Sequence, residues 1–243
     1  MNKWRRRLFI TSAIVLCTLI PGVRANPNHL EPIPFSDDTG YRHAVFASLI
    51  GAAPASLWMI ERPSFSAEYA VILRREVEYD PNDTRPTPLR RVTREQWFVV
   101  RVIAKDQIWR WKHADNNRLV LDIRPTEDVE IHCTPVTKDF AQTLEQAWWS
   151  VLQLTRAPKE SYRFLNGTTL QFGCGYLSGE IWSPKSGLPA QLAELGRNLG
   201  TLALSGEKVN GRLLGECAYL ARKIRKEAEE EQTKVFGRRM PAY

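Results

Sequence analysis

The sequence predicts an α+β protein, in which an antiparallel β meander and a β hairpin pack against about three helices on one face. Between residues 66 and 132, short runs of alternating apolar and polar side chains are separated by turn-forming residues, a pattern typical of successive antiparallel strands. After residue 137 the apolar spacing becomes that of an amphipathic helix, and a second β region begins near residue 162. Strands followed by a helix, a hairpin and further helices are typical of the α+β class.

Residues 1–25 are predicted to form a cleavable signal peptide. The basic segment Lys3–Arg7 precedes the apolar stretch Leu8–Ile20, and Ala25 supplies the small residue at which a signal peptidase cleaves. The apolar stretch is shorter than the roughly 20 residues that span a bilayer, although an uncleaved anchor is an alternative interpretation. The adjacent arginines resemble the twin-arginine export pattern, but an excess of arginine is usual in any signal peptide, which favours Sec export. We therefore expect a product in the periplasm or secreted after cleavage near Ala25.

The predicted cleavage changes the charge of the chain. The whole sequence carries a net charge of +7, with 34 basic and 27 acidic residues. The leader holds five of the basic residues and no acidic one, so 29 basic residues remain against 27 acidic ones, a net charge of +2. A nearly neutral chain lacks the electrostatic footprint of a nucleic-acid-binding protein. After the leader we predict an extended arm at 26–42, a single α+β domain at 43–231 and a flexible tail at 232–243.

The predicted strands alternate in sequence with turns or loops. They are Leu57–Glu61, Tyr69–Tyr79, Gln96–Ile103, Ile108–His113, Arg118–Arg124 and Val129–Cys133. The segment Asp80–Leu89 contains three prolines and is predicted to be a surface loop. Short turns at Lys105-Asp106 and at 115–117 join later strands, which indicates a meander.

The second half of the sequence predicts three helices and a hairpin. Thr137 is the predicted N-cap of a helix over 138–156. Asn166-Gly167 predicts a hairpin that joins Tyr162–Leu165 to Thr168–Tyr176, and Leu177–Trp182 continues the β region. Two leucine-rich stripes with helical spacing then follow. Their members are Leu188, Leu192, Leu195, Leu199 and Leu202 in one stripe, and Leu213, Cys217, Leu220 and Ile224 in the other.

Three cysteines remain once the leader is removed. An odd number in an oxidising compartment predicts one disulfide and one free thiol. We predict a Cys133–Cys174 disulfide, because both residues fall near strands, while Cys217 lies on a helix. The other two pairings stay open. Zinc is disfavoured because the sequence contains no C-x-x-C or H-x₃-H spacing, and we predict no metal site.

No catalytic set can be assembled from the sequence. There is no G-x-S-x-G elbow, and Gly173, Gly175 and Gly179 do not form a phosphate-binding loop before a helix. His132 adjoins Cys133, but neighbouring strand residues point to opposite faces of a sheet. We predict no catalytic residue and no cofactor. A hydrolase that uses dispersed acids remains an alternative, with Asp122, Glu130 and Glu180 as the acids to examine.

Tryptophan is abundant for a chain of this length. Trp148 and Trp149 are adjacent on a predicted helix, so at most one of them points directly into the core. Tryptophans are frequent at protein interfaces, and the predicted binding residues are Trp109, Trp111, Trp149 and Trp182. Packing of these rings in the core and on the sheet is the competing interpretation.

Two segments in the C-terminal half resemble known sequences. The run Leu165–Phe172 (LNGTTLQF), followed by Gly179–Pro184 (GEIWSP) and a leucine-rich helix, is similar to a group of uncharacterised exported bacterial proteins. The resemblance implies a bacterial, periplasmic setting and a shared hairpin–helix unit. It implies no activity and no site residues.

These observations favour an exported, non-catalytic binding or interaction protein, for instance one that neutralises a toxin or an envelope enzyme. The expected partner is another protein, and we expect no nucleic acid, no cofactor and no membrane span in the mature chain. The alternatives are an envelope hydrolase and an accessory subunit of an envelope or secretion complex. The charged end of the last predicted helix motivates the accessory subunit.

Overall fold

The computed structural model describes residues 29–33, 40–51, 55–113, 119–157, 167–206, 208 and 210–237, apart from the side chains of Pro88, Trp111 and Leu119. The predicted signal peptide and the predicted strand Tyr162–Leu165 lie outside the described residues. In the described part of the chain, no helix is both long enough and apolar enough to cross a membrane.

The α+β prediction is confirmed. The helices are α1 (Tyr41–Leu49), α2 (Lys138–Leu152), α3 (Gly187–Ala203) and α4 (Gly211–Phe236). The strands are β1 (Ala55–Pro63), β2 (Tyr69–Tyr79), β3 (Val92–Ala104), β4 (Trp109–His113), β5 (Leu119–Ile123), β6 (Val129–Val136), β7 (Thr168–Cys174) and β8 (Leu177–Trp182). Thr137 caps α2 as expected, because its side chain accepts a hydrogen bond from the Phe140 N–H.

Six strands form one antiparallel sheet in the order β6-β3-β2-β1-β7-β8, and β4 and β5 pair with each other in a separate two-stranded sheet. The simple meander is therefore interrupted, because β3 pairs with β6 and the β4–β5 hairpin is inserted between them. Just before β4, the Ile108 N–H donates to a Glu68 carboxylate oxygen at 3.0 Å rather than to a neighbouring strand. This hydrogen bond and the complete burial of Ile108 direct the chain away from the main sheet.

The two faces of the main sheet are covered by different elements. Alternate residues of β1 divide between them: Leu57 and Met59 join the core beneath α2 and α3, while Ile60 joins the core beneath α1. Helix α4 packs across α2 and α3. Three helices thus cover one face as predicted, and α1 with the β4–β5 hairpin covers the other. Helix α1 buries only a narrow face, formed by Ala44, Val45 and Leu49.

Helix α3 approaches the sheet closely at a glycine. A Cβ atom added at Gly196 would come within 2.4 Å of the Met59 sulfur. The absence of a side chain therefore lets the α3 backbone approach β1, which packs the leucine stripe of α3 tightly against the sheet. The four buried leucines of this stripe are Leu192, Leu195, Leu199 and Leu202.

Three predicted boundaries differ from the structure. Glu31, in the predicted arm, forms an antiparallel bridge with Glu180 of β8, and α1 already begins at Tyr41. The partner of β7 in a hairpin is β8, through a turn at Gly175 and Tyr176, where Gly175 has a φ of 57°. Helix α4 continues to Phe236, inside the predicted flexible tail, and a series of i,i+4 ion pairs such as Arg225–Glu229 lines its exposed side.

Candidate interaction site

The structure contradicts the predicted Cys133–Cys174 disulfide. Cys133 lies on β6 and Cys174 lies on β7, and three strands separate β6 from β7 in the sheet. At about 4.8 Å per strand, these two cysteines are roughly 19 Å apart, whereas a disulfide requires Cα atoms within about 7 Å. All three cysteines of the described residues are free. Sequence proximity to strands did not reveal the order of those strands in the sheet.

The three thiols have different environments. Burial raises the pKa of Cys174 to about 12, and the nearby Glu145 carboxylate adds to this effect. Burial likewise raises the pKa of Cys217 to about 12, with a smaller contribution from Glu216. Cys133 is exposed on β6. Cys133 is therefore the accessible thiol of the described residues.

This difference predicts the outcome of thiol labelling. In the chain from residue 26 onward at pH 8, we expect an aromatic disulfide reagent to modify one thiol promptly. The thiols of Cys174 and Cys217 should react only after unfolding in guanidinium, because they are buried and protonated. The Cys133→Ser variant should lose the prompt phase. Prompt reaction of two thiols, or a prompt phase that survives this substitution, would contradict the assignment.

The four predicted binding tryptophans do not converge on one site. The Trp109 ring packs edge-to-face with Tyr41, their centroids 6.3 Å apart. Trp149 contacts Tyr176 in the same way at 5.2 Å, and this pair involves α2, on the opposite face of the sheet from α1. Trp182 packs over Gly167, where an added Cβ would come within 2.4 Å of the ring. The Trp111 side chain lies outside the described residues.

Trp149 retains the character of a surface aromatic. Its ring is partly buried against the core, and its neighbour Tyr176 is 83% exposed at the β7–β8 turn. Trp109, at the start of β4, instead packs against Tyr41 of α1. Among the predicted binding tryptophans, Trp149 therefore has an aromatic neighbour that is largely exposed.

The three acids considered for a hydrolase lie apart. Glu130 is on β6 and Glu180 is on β8, at opposite edges of the main sheet, while Asp122 is on β5 in the smaller sheet. Arg124 and then Arg110 hold the pKa of Asp122 below its ordinary value through hydrogen bonds. The Glu130 carboxylate forms a hydrogen bond of 2.6 Å with the ring of His132 on the same strand. No two of these acids share a cleft in the described residues.

Glu180 is part of a polar cluster rather than a catalytic pair. Its two carboxylate oxygens lie 3.4 Å from Arg42 and 3.4 Å from Arg62, and the Gln171 amide donates to it at 2.9 Å. Burial and the charge of Glu180 raise the pKa of Glu31 in the paired arm. Two arginines thus neutralise Glu180, which suits a structural anchor.

A second polar network, at Glu68, was not apparent from the sequence. The Glu68 side chain is completely buried and accepts hydrogen bonds from the Tyr41 hydroxyl at 2.6 Å and from the Ile108 N–H at 3.0 Å. Burial, followed by the hydrogen bond to Glu68, raises the pKa of Tyr41. The Arg62 guanidinium lies over the Tyr41 ring at 5.5 Å. This network ties α1 and the start of β4 to the sheet.

One accessible feature suited to binding is the outer edge of β6. Ahead of this strand, the Lys105 N–H donates to the Asp128 carbonyl at 3.2 Å. The antiparallel alternation then directs the backbone groups of Glu130, His132 and Thr134 toward β3. The N–H and C=O groups of Ile131 and Cys133 consequently point away from the sheet, where no strand of the described chain pairs with them.

The edge of β6 is also apolar and firmly supported. The Ile131 side chain is 60% exposed, and Cys133 lies on the same face of the strand. The Thr134 side chain is fully buried, with its hydroxyl 3.0 Å from the Leu202 carbonyl and 2.9 Å from the Gly206 carbonyl. These contacts attach β6 to the end of α3. An incoming strand would therefore meet a pre-ordered edge.

No cluster of three or more histidine, cysteine, aspartate or glutamate residues in the described ranges is arranged to hold a metal ion. Comparison with family models, curated proteins and solved structures finds no match to this chain. The geometry of the molecule is therefore the basis for its proposed function.

Proposed function

We propose that the mature chain is an exported, non-catalytic interaction protein, and that it binds a partner protein by adding a strand of that partner to β6. The observation that carries this proposal is the open edge at Ile131 and Cys133. The backbone groups of these two residues are available to a partner strand, and the exposed Ile131 side chain adds an apolar contact. Export to the periplasm is part of the proposal and rests on the leader sequence.

Comparison with ordinary edge strands supports this assignment. Sheet edges are commonly protected by charged side chains that point inward, by bulges or by proline, because an open edge pairs readily with other chains. On β6, Pro135 and the exposed charge of Glu130 provide such protection, whereas Ile131 and Cys133, whose backbone groups point outward, carry neither a charge nor a proline. The exposed Ile131 beside unpaired backbone groups gives a partner strand an apolar side chain to contact.

The opposite edge of the sheet, at β8, is partly covered. There, β8 is bridged by Glu31 of the arm, with two backbone hydrogen bonds of 2.9 and 2.7 Å between Glu31 and Glu180. The chain thus covers part of one edge with its own arm. This contrast favours β6 as the edge at which an external strand binds.

Crosslinking at the native Cys133 tests the proposal. A benzophenone maleimide attached to this thiol places a photoreactive group on the β6 edge, while the buried Cys174 and Cys217 remain unlabelled. In envelope extract from the source bacterium we expect one dominant crosslinked partner. Ile131→Lys should weaken the binding of that purified partner at least about fivefold, the loss expected when an interface contact worth about 1 kcal/mol is removed.

A matched control moves the probe to the other edge. Ser178→Cys in a Cys133→Ser background places the same group on an exposed position of β8. This variant should not capture the partner. Equal capture from both positions, or unchanged binding by Ile131→Lys, would contradict the assignment to β6. A crosslinked species with twice the mass of the chain would show self-association in place of a separate partner.

A further inference from the structure

The outer edge of β6 is complementary to itself. Two copies of this edge that continue one sheet, related by a two-fold axis perpendicular to it, pair as antiparallel strands. In such a pair, residues whose backbone groups point outward face one another and exchange hydrogen bonds. On β6 these residues are Val129, Ile131, Cys133 and Pro135. Every register of the pair therefore sets residues of this group against residues of the same group.

One register suits the backbone well. With Ile131 at the two-fold axis, the Ile131 residues of the two copies exchange two hydrogen bonds. Val129 of each copy then faces Cys133 of the other, and the Cys133 N–H can donate to the Val129 carbonyl. The Val129 N–H is already bonded to the Glu127 carbonyl at 3.1 Å, which ends the ladder at this residue. Pro135, which has no N–H, lies beyond the paired residues.

The same register matches the side chains on both faces of the sheet. On the face toward α3, Glu130 of each copy lies opposite His132 of the other, and these two groups already form a hydrogen bond of 2.6 Å within one chain. The Glu130 side chain is 57% exposed and the His132 side chain is 31% exposed, so both can reach a neighbouring strand. On the other face, the two Ile131 side chains meet as an apolar cross-strand pair.

A positive charge on β3 also favours this arrangement. Arg101 is the β3 neighbour of His132 and stacks over the Tyr69 ring at 4.9 Å. Its buried Nε atom has no hydrogen-bond partner among the described residues. The guanidinium charge beside His132 therefore favours a carboxylate on the incoming strand, and Glu130 of the second copy supplies one.

The neighbouring registers are less favourable. Moving the axis to Glu130 sets the two carboxylates opposite each other, and like charges in this position destabilise a pair of strands. Moving the axis to His132 sets the two imidazole rings opposite each other and brings Pro135 into the pairing, where it cannot donate a hydrogen bond. The register centred on Ile131 avoids both faults.

We infer that the free chain covers its β6 edge with β6 of a second copy, in a symmetric dimer centred on Ile131. This inference rests on the proposed function of β6 as a binding edge, and it adds that a partner strand displaces the second copy. The pairing uses only Val129, Ile131 and Cys133 of each strand, so the interface is small, below about 1,200 Å². We therefore expect the dimer to dissociate in about the micromolar range.

Sedimentation equilibrium of the chain from residue 26 onward tests the dimer. Between about 1 and 100 µM we expect a reversible monomer–dimer equilibrium. Ile131→Lys should raise the dimer dissociation constant at least about tenfold, because it sets two lysines opposite each other at the axis. Leu89→Lys is the matched control, since Leu89 is 63% exposed but lies outside β6, and this variant should still dimerise. A chain that stays monomeric throughout this range, or an Ile131→Lys variant that dimerises as before, would overturn the inference.

Disulfide trapping tests the register. Residues that exchange hydrogen bonds across antiparallel strands have Cα atoms about 5.5 Å apart, within the range that a disulfide spans. Val129→Cys, with the native Cys133 retained, should therefore give a covalent dimer on mild oxidation. The unmodified chain should give none, because its two Cys133 residues lie about 14 Å apart along the strands. Val129→Cys combined with Cys133→Ser should also give none, for the same reason.

Two outcomes of this trapping would contradict the register centred on Ile131. One is a covalent dimer formed through the native Cys133 alone, which would place the axis at Cys133. The other is the absence of a covalent dimer from Val129→Cys in the presence of Cys133.

The dimer and the separate partner can fail independently. A chain that stays monomeric refutes the dimer but leaves the edge open to a partner, as the proposed function requires. A dimer with the expected dissociation constant, together with no partner captured from the extract, would sustain the dimer and refute the separate partner. In the extract the labelled chain is used at about nanomolar concentration, below the dissociation constant of the dimer, so that self-pairing does not mask the edge.

Discussion

Replacing Trp148 by alanine is expected to lower the free energy of unfolding by about 3–5 kcal/mol, the range for truncating a fully buried large aromatic side chain. Trp148 has no exposed surface and packs edge-to-face with Phe172, with centroids 6.4 Å apart. Its indole N–H donates to the Trp58 carbonyl at 3.3 Å. The substitution therefore creates a cavity between α2 and the sheet and leaves that carbonyl without its indole donor.

The neighbouring tryptophan is the matched control. Trp149 is the same type of residue and lies on the same helix, but it is only partly buried. Its aromatic neighbour in the described residues is the exposed Tyr176. We expect Trp149→Ala to cost about 1 kcal/mol, the size of one aromatic pair. Urea unfolding followed by circular dichroism measures both losses. Equal losses for the two variants would show that the helix is rotated from the described orientation.

Replacing Glu68 by alanine is expected to lower the free energy of unfolding by about 2–4 kcal/mol, because it removes the buried acceptor of two hydrogen bonds. The donors of these bonds are the Tyr41 hydroxyl and the Ile108 N–H. The loss should be accompanied by loosening of α1 and of the chain entering β4, since Glu68 connects both to the sheet. Hydrogen exchange of the Ile108 amide would measure this local effect.

A second substitution separates the contribution of the Tyr41 hydroxyl from that of the Ile108 N–H. Adding Tyr41→Phe to Glu68→Ala removes the hydroxyl that donates to Glu68, so the loss in the double variant should be smaller than the sum of the two single losses. Glu76→Ala is the surface control, because Glu76 is half-exposed and its ion pair with Arg74 lies at the surface. We expect this control to stay within about 1 kcal/mol. An equal cost for Glu68→Ala and Glu76→Ala would contradict the buried network.

Local patterns in the sequence were sufficient for most of the secondary structure. Alternation identified β2, β3 and β6, and the Thr137 cap and apolar stripe identified α2, because these signals depend only on nearby residues. The pairing of β3 with β6 was not predictable from such signals. It depends on the burial of Ile108 and on its hydrogen bond to Glu68, residues 40 positions apart in the chain.

The arrangement of the predicted site residues was harder to predict from the sequence. Cys133 and Cys174 both lie on strands, but only the strand order shows that a disulfide between them is impossible. The polar cluster around Glu180 joins residues from α1, β1, β7 and β8, and no spacing in the sequence indicates this arrangement. The open edge of β6 likewise depends on which strand is outermost.

The sequence alone determined the α+β class, the helix cap and stripes, the near-neutral charge of the chain after residue 25, and the prediction of an exported product. These properties follow from composition and from the periodicity of neighbouring residues. Only the tertiary structure decided the strand order, the free state of Cys133, the buried partners of Glu68 and the exposure of β6. These four features share one physical cause. Each depends on contacts between segments that are distant in sequence, and such contacts form only when the whole sheet packs between its helices.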